Sequence, residues 1–303
     1  LIESGNAILG IEFGSTRIKA VLINDKFEPI ANGSYTWENT LDNGIWTYPL
    51  EQIHEGLQTC YADLKKDVSE KYGVKLTKFK AGGISAMMHG YLAFDKDDNL
   101  LVPFRTWRNT ITGEASAKLS KIFNYPVPER WSVSHLYQAV LNKEEHISKL
   151  QNVYTLAAYI HYKLTGNKVI GVGDASGMFP VILSKDGKSA DYNPDFIEKF
   201  QNLPEIKAIS NSSFTIPNLF PKVLMAGENA GTLTTNGAKF LDPTGELEAG
   251  IPFCPPEGDA GTGMAATNAV AVKTGNISAG TSVFSMVVLE KDLKKAYPGI
   301  IDI

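Results

Sequence analysis

Asp259 stands in "PPEGDAGTGMAATNAV", directly after Gly258, behind an apolar run and ahead of a stretch of Gly, Ala and Thr. A carboxylate at a strand–helix junction suits two kinds of chemistry. It accepts the proton of an attacking hydroxyl, or it directs a metal ion, and the helix N-terminus favours its ionised form. The same residue type also suits a plain helix N-cap, worth about 1 kcal/mol, and both roles stay open on the sequence. A second constellation lies in "AILGIEFGSTRIKAVLIN", where Glu12 ends an apolar run before Gly14, Ser15 and Thr16, with Lys19 just beyond. A Gly-Ser-Thr turn offers backbone N–H groups and hydroxyls to an anion, and its glycine lets a phosphate approach the main chain. "ISAGTSVFSMVVL", carrying Gly280, Thr281 and Ser282, repeats the same apolar–Gly–hydroxyl–hydroxyl–apolar form near the far end. Two such hairpins are suited to gripping a nucleoside triphosphate between them. The G-x-x-x-x-G-K-[ST] loop is absent and no G-x-G-x-x-G follows a strand pattern, so a phosphate site here is of the hairpin type.

Further candidates have the makings of a small polar pocket. Met88 and His89 close "GISAMMHG", beside Gly90, at the end of a buried strand. Trp107 and Arg108 in "VPFRTWRNT" pair an aromatic face with a guanidinium, a combination that suits a sugar ring and its hydroxyls. Asp174 follows two glycines in "GVGDASGMF", and His135 with Tyr137 lies on the helix pattern "SHLYQ". Each has a structural alternative: a satisfied core histidine, a core tryptophan, a turn-capping aspartate.

The elements that must position these residues are legible in outline. "AILGIEF", "IKAVLIN" and "FEPIANGSYTWE" read as three antiparallel strands joined by polar turns. "PLEQIHEGLQTCYADLKKDVSEKYG" carries Leu57, Tyr61, Leu64 and Val68 at helical spacing and stops at Gly73. "KFKAGGISAMM" predicts a buried strand, "DKDDN" a turn, and helices are expected at "TGEASAKLSKIF", "SHLYQAVLNKEEH" and "NVYTLAAYIHYKLTG". Residues 184–245 read as loops around short elements. From Ile251 an acid at a strand end precedes a small-residue helix and a strand–turn–strand.

Composition narrows the class. The 303 residues are 43% hydrophobic and 20% charged, ordinary for a globular α/β protein. A net charge of −4 argues against a nucleic-acid binder that works by phosphate neutralisation. No apolar run approaches the roughly 20 residues of a membrane span, so no membrane partner is expected. Cys60 and Cys254 match no ligand spacing and are expected as buried thiols in a reducing, cytoplasmic setting. The chain opens on Leu1 and stops at "AYPGIIDI", just after a strand pattern, which reads as a piece of a longer protein.

Taken in order along the chain, these segments resemble the FGGY carbohydrate kinases. "GIEFGSTRIKAVL" is similar to the family's first phosphate hairpin and "SAGTSV" to its second. "GISAMMHG" resembles the strand whose Met-His pair meets the sugar, and "FRTWRNT" a segment of Trp and substrate-facing polar residues. "GDASGMF" and "EGDAGTG" resemble the segments of a cleft aspartate and of the catalytic aspartate. The resemblance implies an actin-like, ribonuclease-H-like fold, with a mixed sheet flanked by helices and domains closing over a cleft. It implies a first domain over residues 7–250 and an incomplete second one over 251–303. It further implies ATP and Mg²⁺ as cofactors, a sugar or polyol as the small-molecule partner, and Asp259 as base and metal-directing carboxylate. Glu12 would be the other metal-directing acid, and Gly14, Ser15, Thr16, Lys19, Gly280, Thr281 and Ser282 the phosphate contacts. Met88, His89, Trp107, Arg108, Asp174 and His135 would shape the sugar pocket. Self-association into a homodimer stays open.

Two positions and one segment depart from the family's pattern. Glu12 stands where an Asp is usual, placing the carboxylate about 1.5 Å further out. Ala260 stands where relatives often carry Asn or Gln, and "SHLYQAVLN" lacks the usual Lys and Trp. A non-catalytic sugar sensor on the same fold is therefore the alternative expectation, with an actin- or Hsp70-like ATPase behind it.

Overall fold

A computed structural model describes residues 1–209, 211–279, 283–291, 293 and 297. Its centre is a five-stranded mixed sheet. Strands β1 (Ile8–Phe13), β2 (Arg17–Ile23) and β3 (Pro29–Thr36) form the expected antiparallel meander. A short hairpin follows, β4 (Thr40–Asp42) with β5 (Ile45–Thr47), and then helix α1 (Leu50–Tyr72). The chain returns as β6 (Ala81–Ala86), parallel to β1. After β7 (Leu92–Phe94) come α2 (Gly113–Phe123) and α3 (Ser132–Leu141). Next are β8 (Asn152–Tyr154), α4 (Leu156–Thr165), β9 (Val169–Gly171) and α5 (Val172–Ala175).

The segment read as loops around short elements is that: β10 (Val181–Leu183), β11 (Ala190–Tyr192), α6 (Pro194–Gln201), α7 (Pro204–Lys207), α8 (Ile216–Leu219), β12 (Lys222–Leu224) and α9 (Thr235–Leu241). The last elements are β13 (Glu257–Gly258), α10 (Asp259–Ala266) and the antiparallel pair β14 (Gly275–Ala279) and β15 (Val283–Val287). The sheet runs β13–β6–β1–β2–β3. It crosses the expected division at residue 250, because β13 pairs with β6, Gly82 bridges Phe253, and Cys254 N–H donates to Gly82 O at 3.0 Å.

Period-two alternation decides which side chains are free to do chemistry. Leu9, Ile11 and Phe13 of β1 are buried with Ile18, Ala20 and Leu22 of β2 and with Ile84 and Ala86 of β6. The alternate positions, Glu12, Lys19 and Ser85, face the other way. Register aligns Lys19, Glu12, Ser85 and Glu257 in one row across β2, β1, β6 and β13.

Helix α1 covers β2 and β3. Ile53, Leu57, Cys60, Tyr61, Leu64 and Val68 form its buried stripe, and Gly73 ends it in the left-handed region (φ 66°), its N–H donating to Ser69 O. Gly33 permits the helix to lie unusually close, for a Cβ there would stand 2.3 Å from Cys60 O. At that spacing two carboxylates of α1 reach the outer edge of β3. Asp67 accepts from Asn32 N–H and Asp63 from Ser34 N–H, each at 2.9 Å. The match is geometric: four residues of helix rise about 6.0 Å and two of strand about 6.6 Å.

Cys60 is buried as expected, whereas Cys254 is exposed. It lies in the extended segment leading into the two-residue edge strand β13, with its Sγ over Gly83. Among the described residues no helix is long and apolar enough to cross a membrane.

Candidate active site

The open face of the sheet gathers carboxylates at the ends of β1 and β13. Asp259 is the first residue of α10; Gly258, not Asp259, is the N-cap, and no side chain caps the helix. The aspartate is therefore released from the structural role that the sequence left open. Burial pushes its pKa up to about 6, and the charge of Glu12 pushes in the same direction. Backbone N–H groups at Ala260 and Met88 pull it partly back. Ser85 and Thr262 hold the first turn of α10 to β6, their hydroxyls 2.9 Å apart. The Thr262 hydroxyl also lies 3.2 Å from the carbonyl oxygens of Gly258 and Asp259.

Glu12 stands directly across from Lys19 and ion-pairs with it at 3.7 Å. Its Oε1 also lies beside the Gly14–Thr16 turn, since a Cβ on Gly14 would be 3.7 Å from it. Among the described residues no group of three or more His, Cys, Asp or Glu is arranged to hold a metal unaided. Glu12 and Asp259, near enough for the charge of the first to raise the pKa of the second, fit a Mg²⁺ that keeps water and phosphate oxygens as its other ligands, which is how Mg²⁺ is commonly bound.

Met88 and His89 are seated between two glycines. A Cβ at Gly258 would lie 2.2 Å from Met88 Cγ, and one at Gly177 would lie 2.5 Å from His89 Nδ1. His89 itself holds a left-handed backbone (φ 67°), followed by Gly90 at φ 98°. A non-glycine residue there costs on the order of 1–3 kcal/mol, and such positions concentrate at functional sites. Arg130 Nε donates to His89 Nε2 at 3.0 Å, which leaves the ring proton on Nδ1, donating to Gly177 O at 3.2 Å. Burial, then the charge of Arg130, lowers the His89 pKa to about 3, so the ring is neutral.

Trp107 is half-buried against the core, and Arg108 is exposed. The aromatic partner of Arg108 is Trp46 of β5, whose ring its guanidinium covers at 3.6 Å. Asn109 clamps that strand by accepting from Trp46 N–H and donating to Trp46 O, both at 2.8 Å.

These elements, in this order, match a family model, "FGGY family of carbohydrate kinases, N-terminal domain", over residues 7–264. The chain belongs to the FGGY family of carbohydrate kinases. It is 23% identical over 261 residues to L-fuculokinase of Escherichia coli (strain K12), covering 81% of this chain and 49% of that protein. It is 24% identical over 286 residues to gluconokinase of Bacillus subtilis (strain 168), covering 82% of this chain and 54% of that one. The chain thus spans about half the length of the curated relatives it matches. The fold is the actin-like one of the FGGY sugar kinases. A xylulose kinase from Rhodospirillum rubrum superposes with TM-score 0.74 at 16% identity, over 97% of this chain and 57% of that one. A ligand-bound xylulose kinase from Lactobacillus acidophilus superposes with TM-score 0.71 at 18% identity, over 92% and 53%.

Within this FGGY chain, two of the expected pocket residues are not at an open surface. His135 is wholly buried in α3 behind Tyr91, its ring 6.2 Å from the tyrosine ring. Burial, with the charges of Arg105 and His89, lowers its pKa to about 3. Its helix is buried from Ser132 to Val140, which takes the imidazole inward with it. Asp174 is also wholly buried, accepting from the Thr155 hydroxyl at 2.6 Å. Burial raises its pKa well above the usual range, and the charges of Glu257 and Asp259 add to the rise. Gly280, Thr281 and Ser282 lie outside the described residues; the strands flanking them, β14 and β15, pair antiparallel with Ala279 opposite Val283.

Glu257, Arg130 and Trp46 were not singled out by sequence reasoning. Glu257 accepts from Asp174 N–H at 2.9 Å, in space that Gly171 and Gly173 leave open. Its signal was present, an acid two residues before Asp259 and therefore on the same strand–helix junction. Arg130 and Trp46 had no such signal, since only tertiary contacts bring them to His89 and Arg108.

Proposed function

We propose that this protein transfers the γ-phosphoryl group of ATP to a hydroxyl of a sugar or polyol. The observation that supports the reading best is Asp259: a carboxylate freed from capping duty, with its pKa raised to about 6 by burial and by the charge of Glu12. That pKa sits where a general base is ionised at neutral pH yet basic enough to take a proton in the transition state. The names of the relatives, L-fuculokinase, gluconokinase and xylulose kinase, point to the substrate class without choosing a member of it.

In this reading Met88, His89, Trp107 and Arg108 seat the acceptor, and Asp259 Oδ accepts the proton of the attacking hydroxyl. Ser15 and Thr16 present hydroxyls and N–H groups to the phosphates. Glu12 and Asp259 would hold a Mg²⁺, which when bound neutralises charge on the phosphates. Asp174 and His135 act from the core, one behind Glu257, the other as packing behind Tyr91. The second phosphate contact at Gly280, Thr281 and Ser282 remains part of the proposal, as does the division into a first domain over residues 7–250, here extended to take in β13, and an incomplete second one.

The decisive assay is coupled ADP release against a panel of ketoses, aldoses and polyols with Mg²⁺. One strong acceptor would establish the kinase and name its substrate. Sugar binding without ADP release across the panel would overturn the reaction in favour of a sensor. Substitution at the His89 seat gives a sharper check. Gly177→Ala places a methyl 2.5 Å from His89 Nδ1 and forces the ring to move. We expect the KM for sugar to rise about ten- to a hundredfold with the KM for ATP unchanged, as displacement of a positioning group by about 1 Å does. Equal rises in both constants would remove His89 from the sugar pocket.

A further inference from the structure

The Gly14–Thr16 turn is held from behind, by residues far from it in sequence. Gly14 O accepts from the indole Nε1–H of Trp37 at 2.8 Å. Ser15 O accepts from the Tyr48 hydroxyl at 2.6 Å. Thr16 O accepts from Trp37 N–H at 3.2 Å. Each of the turn's three carbonyls is thus occupied on the buried side. Trp37 and Tyr48 are 2% and 0% exposed and stack with ring centroids 4.2 Å apart, and Phe13 packs on Trp37.

A trans peptide unit directs its C=O and the following N–H in opposite directions. With Gly14 O and Ser15 O turned inward, the N–H groups of Ser15 and Thr16 point outward. Neither donates to any acceptor among the described residues, although Ser15 is half-buried and Thr16 exposed. An isolated Gly-Ser-Thr turn has no such preference. A peptide flip would bring a carbonyl oxygen, with its partial negative charge, to the face that an anion must approach. The Tyr48 hydroxyl keeps its proton throughout the working range, burial having pushed its pKa up to about 12.

We propose that Trp37 and Tyr48 are positioning residues for phosphate recognition, locking the turn's carbonyls inward so that the N–H groups of Ser15 and Thr16 meet the ligand. The proposal rests on the reading of this turn as a phosphate site. It also explains why a tyrosine stands between β5 and α1, where its ring alone would serve the core as well as phenylalanine.

The test is Tyr48→Phe in the intact protein, a change that keeps the ring and its stacking and removes one donor. Binding of Mg·ADP and of adenosine is followed by calorimetry, alongside steady-state kinetics. The Kd for Mg·ADP should rise about tenfold, the equivalent of one hydrogen bond, with the Kd for adenosine and the KM for sugar unchanged. Trp37→Phe should act in the same direction, and Tyr48→Phe settles the matter if that second variant fails to fold. A merely structural role would instead lower the melting temperature and leave the ratio of Mg·ADP to adenosine affinity as it was; that result overturns the proposal. A wild-type protein that does not bind Mg·ADP overturns it too. A wild type that binds Mg·ADP, loses that affinity in Tyr48→Phe and phosphorylates no sugar leaves the positioning role standing and refutes the proposed reaction.

Discussion

Asp259→Asn is expected to lower kcat by about 10²–10⁴-fold, the range over which a positioned general base contributes, while the affinity for sugar changes little. The amide keeps the shape of the carboxylate and its contacts with the backbone N–H groups, but it cannot take the acceptor's proton. The same group predicts the acid limb of the wild-type profile. Asp259 must be ionised to act, so kcat/KM should fall with decreasing pH below about 6. That limb should vanish from the residual activity of Asp259→Asn. The stability of the protein should move in the opposite direction. Burial and Glu12 raise this carboxyl from 3.8 to about 6 in the folded state. A raised acid favours folding only while both states are protonated, and that advantage is lost as pH rises through the interval from 3.8 to about 6. At pH 7.5 the ionised aspartate therefore costs on the order of 1–3 kcal/mol, which Asn avoids. Asp259→Asn should melt higher than wild type at pH 7.5 and no higher near pH 4. An inactive variant that melts lower at pH 7.5 would mean that the aspartate is structural. Full activity would remove it from the mechanism.

Gly33→Ala is expected to have the largest effect on folding. The methyl group would stand 2.3 Å from Cys60 O, 2.4 Å from Leu64 N and 2.9 Å from Leu64 Cα. All three are main-chain atoms of α1, so no side chain can rotate away. The helix itself must lift, and with it the packing of Leu57, Cys60, Tyr61 and Leu64 on the meander. Overpacking commonly costs about 1–3 kcal/mol, and a backbone-on-backbone collision belongs at the upper end. The urea midpoint should fall with the slope unchanged. An unchanged midpoint would show that α1 tolerates a wider spacing and that its close seat on β3 adds no stability.

The strands and helices that frame the site were legible because their signals are local. The meander showed in apolar runs joined by polar turns, α1 in the spacing of Leu57, Tyr61, Leu64 and Val68, and its end in Gly73. The junction at Asp259 showed in an apolar run that gave way to small residues. Contacts between distant segments left no comparable mark. Nothing near Trp37 or Tyr48 says that they hold a turn twenty or more residues earlier. The environment of a polar residue was equally hidden: His135 and Asp174 looked like pocket residues by type, yet the packing of α3 and α5 took both into the core. Cys254 failed in the other direction. A thiol that matches no ligand spacing reads as buried, yet Cys254 is exposed ahead of the two-residue strand β13.

The pairing of Asp63 and Asp67 with the outer N–H groups of β3 has a consequence for how copies of this protein can meet. An open strand edge invites another strand to continue the sheet, and here that edge already has its acceptors in place. The opposite edge, β13, is two residues long and runs straight into α10. The five-stranded sheet therefore offers a second copy no long open edge to continue. Acid would weaken the guard. Asp67 is held below the usual carboxylate range by Lys71 and by Asn32 N–H, so its cover persists in mild acid and fails as pH falls through that depressed value. Strongly acidic solution is therefore the condition in which the β3 edge is uncovered.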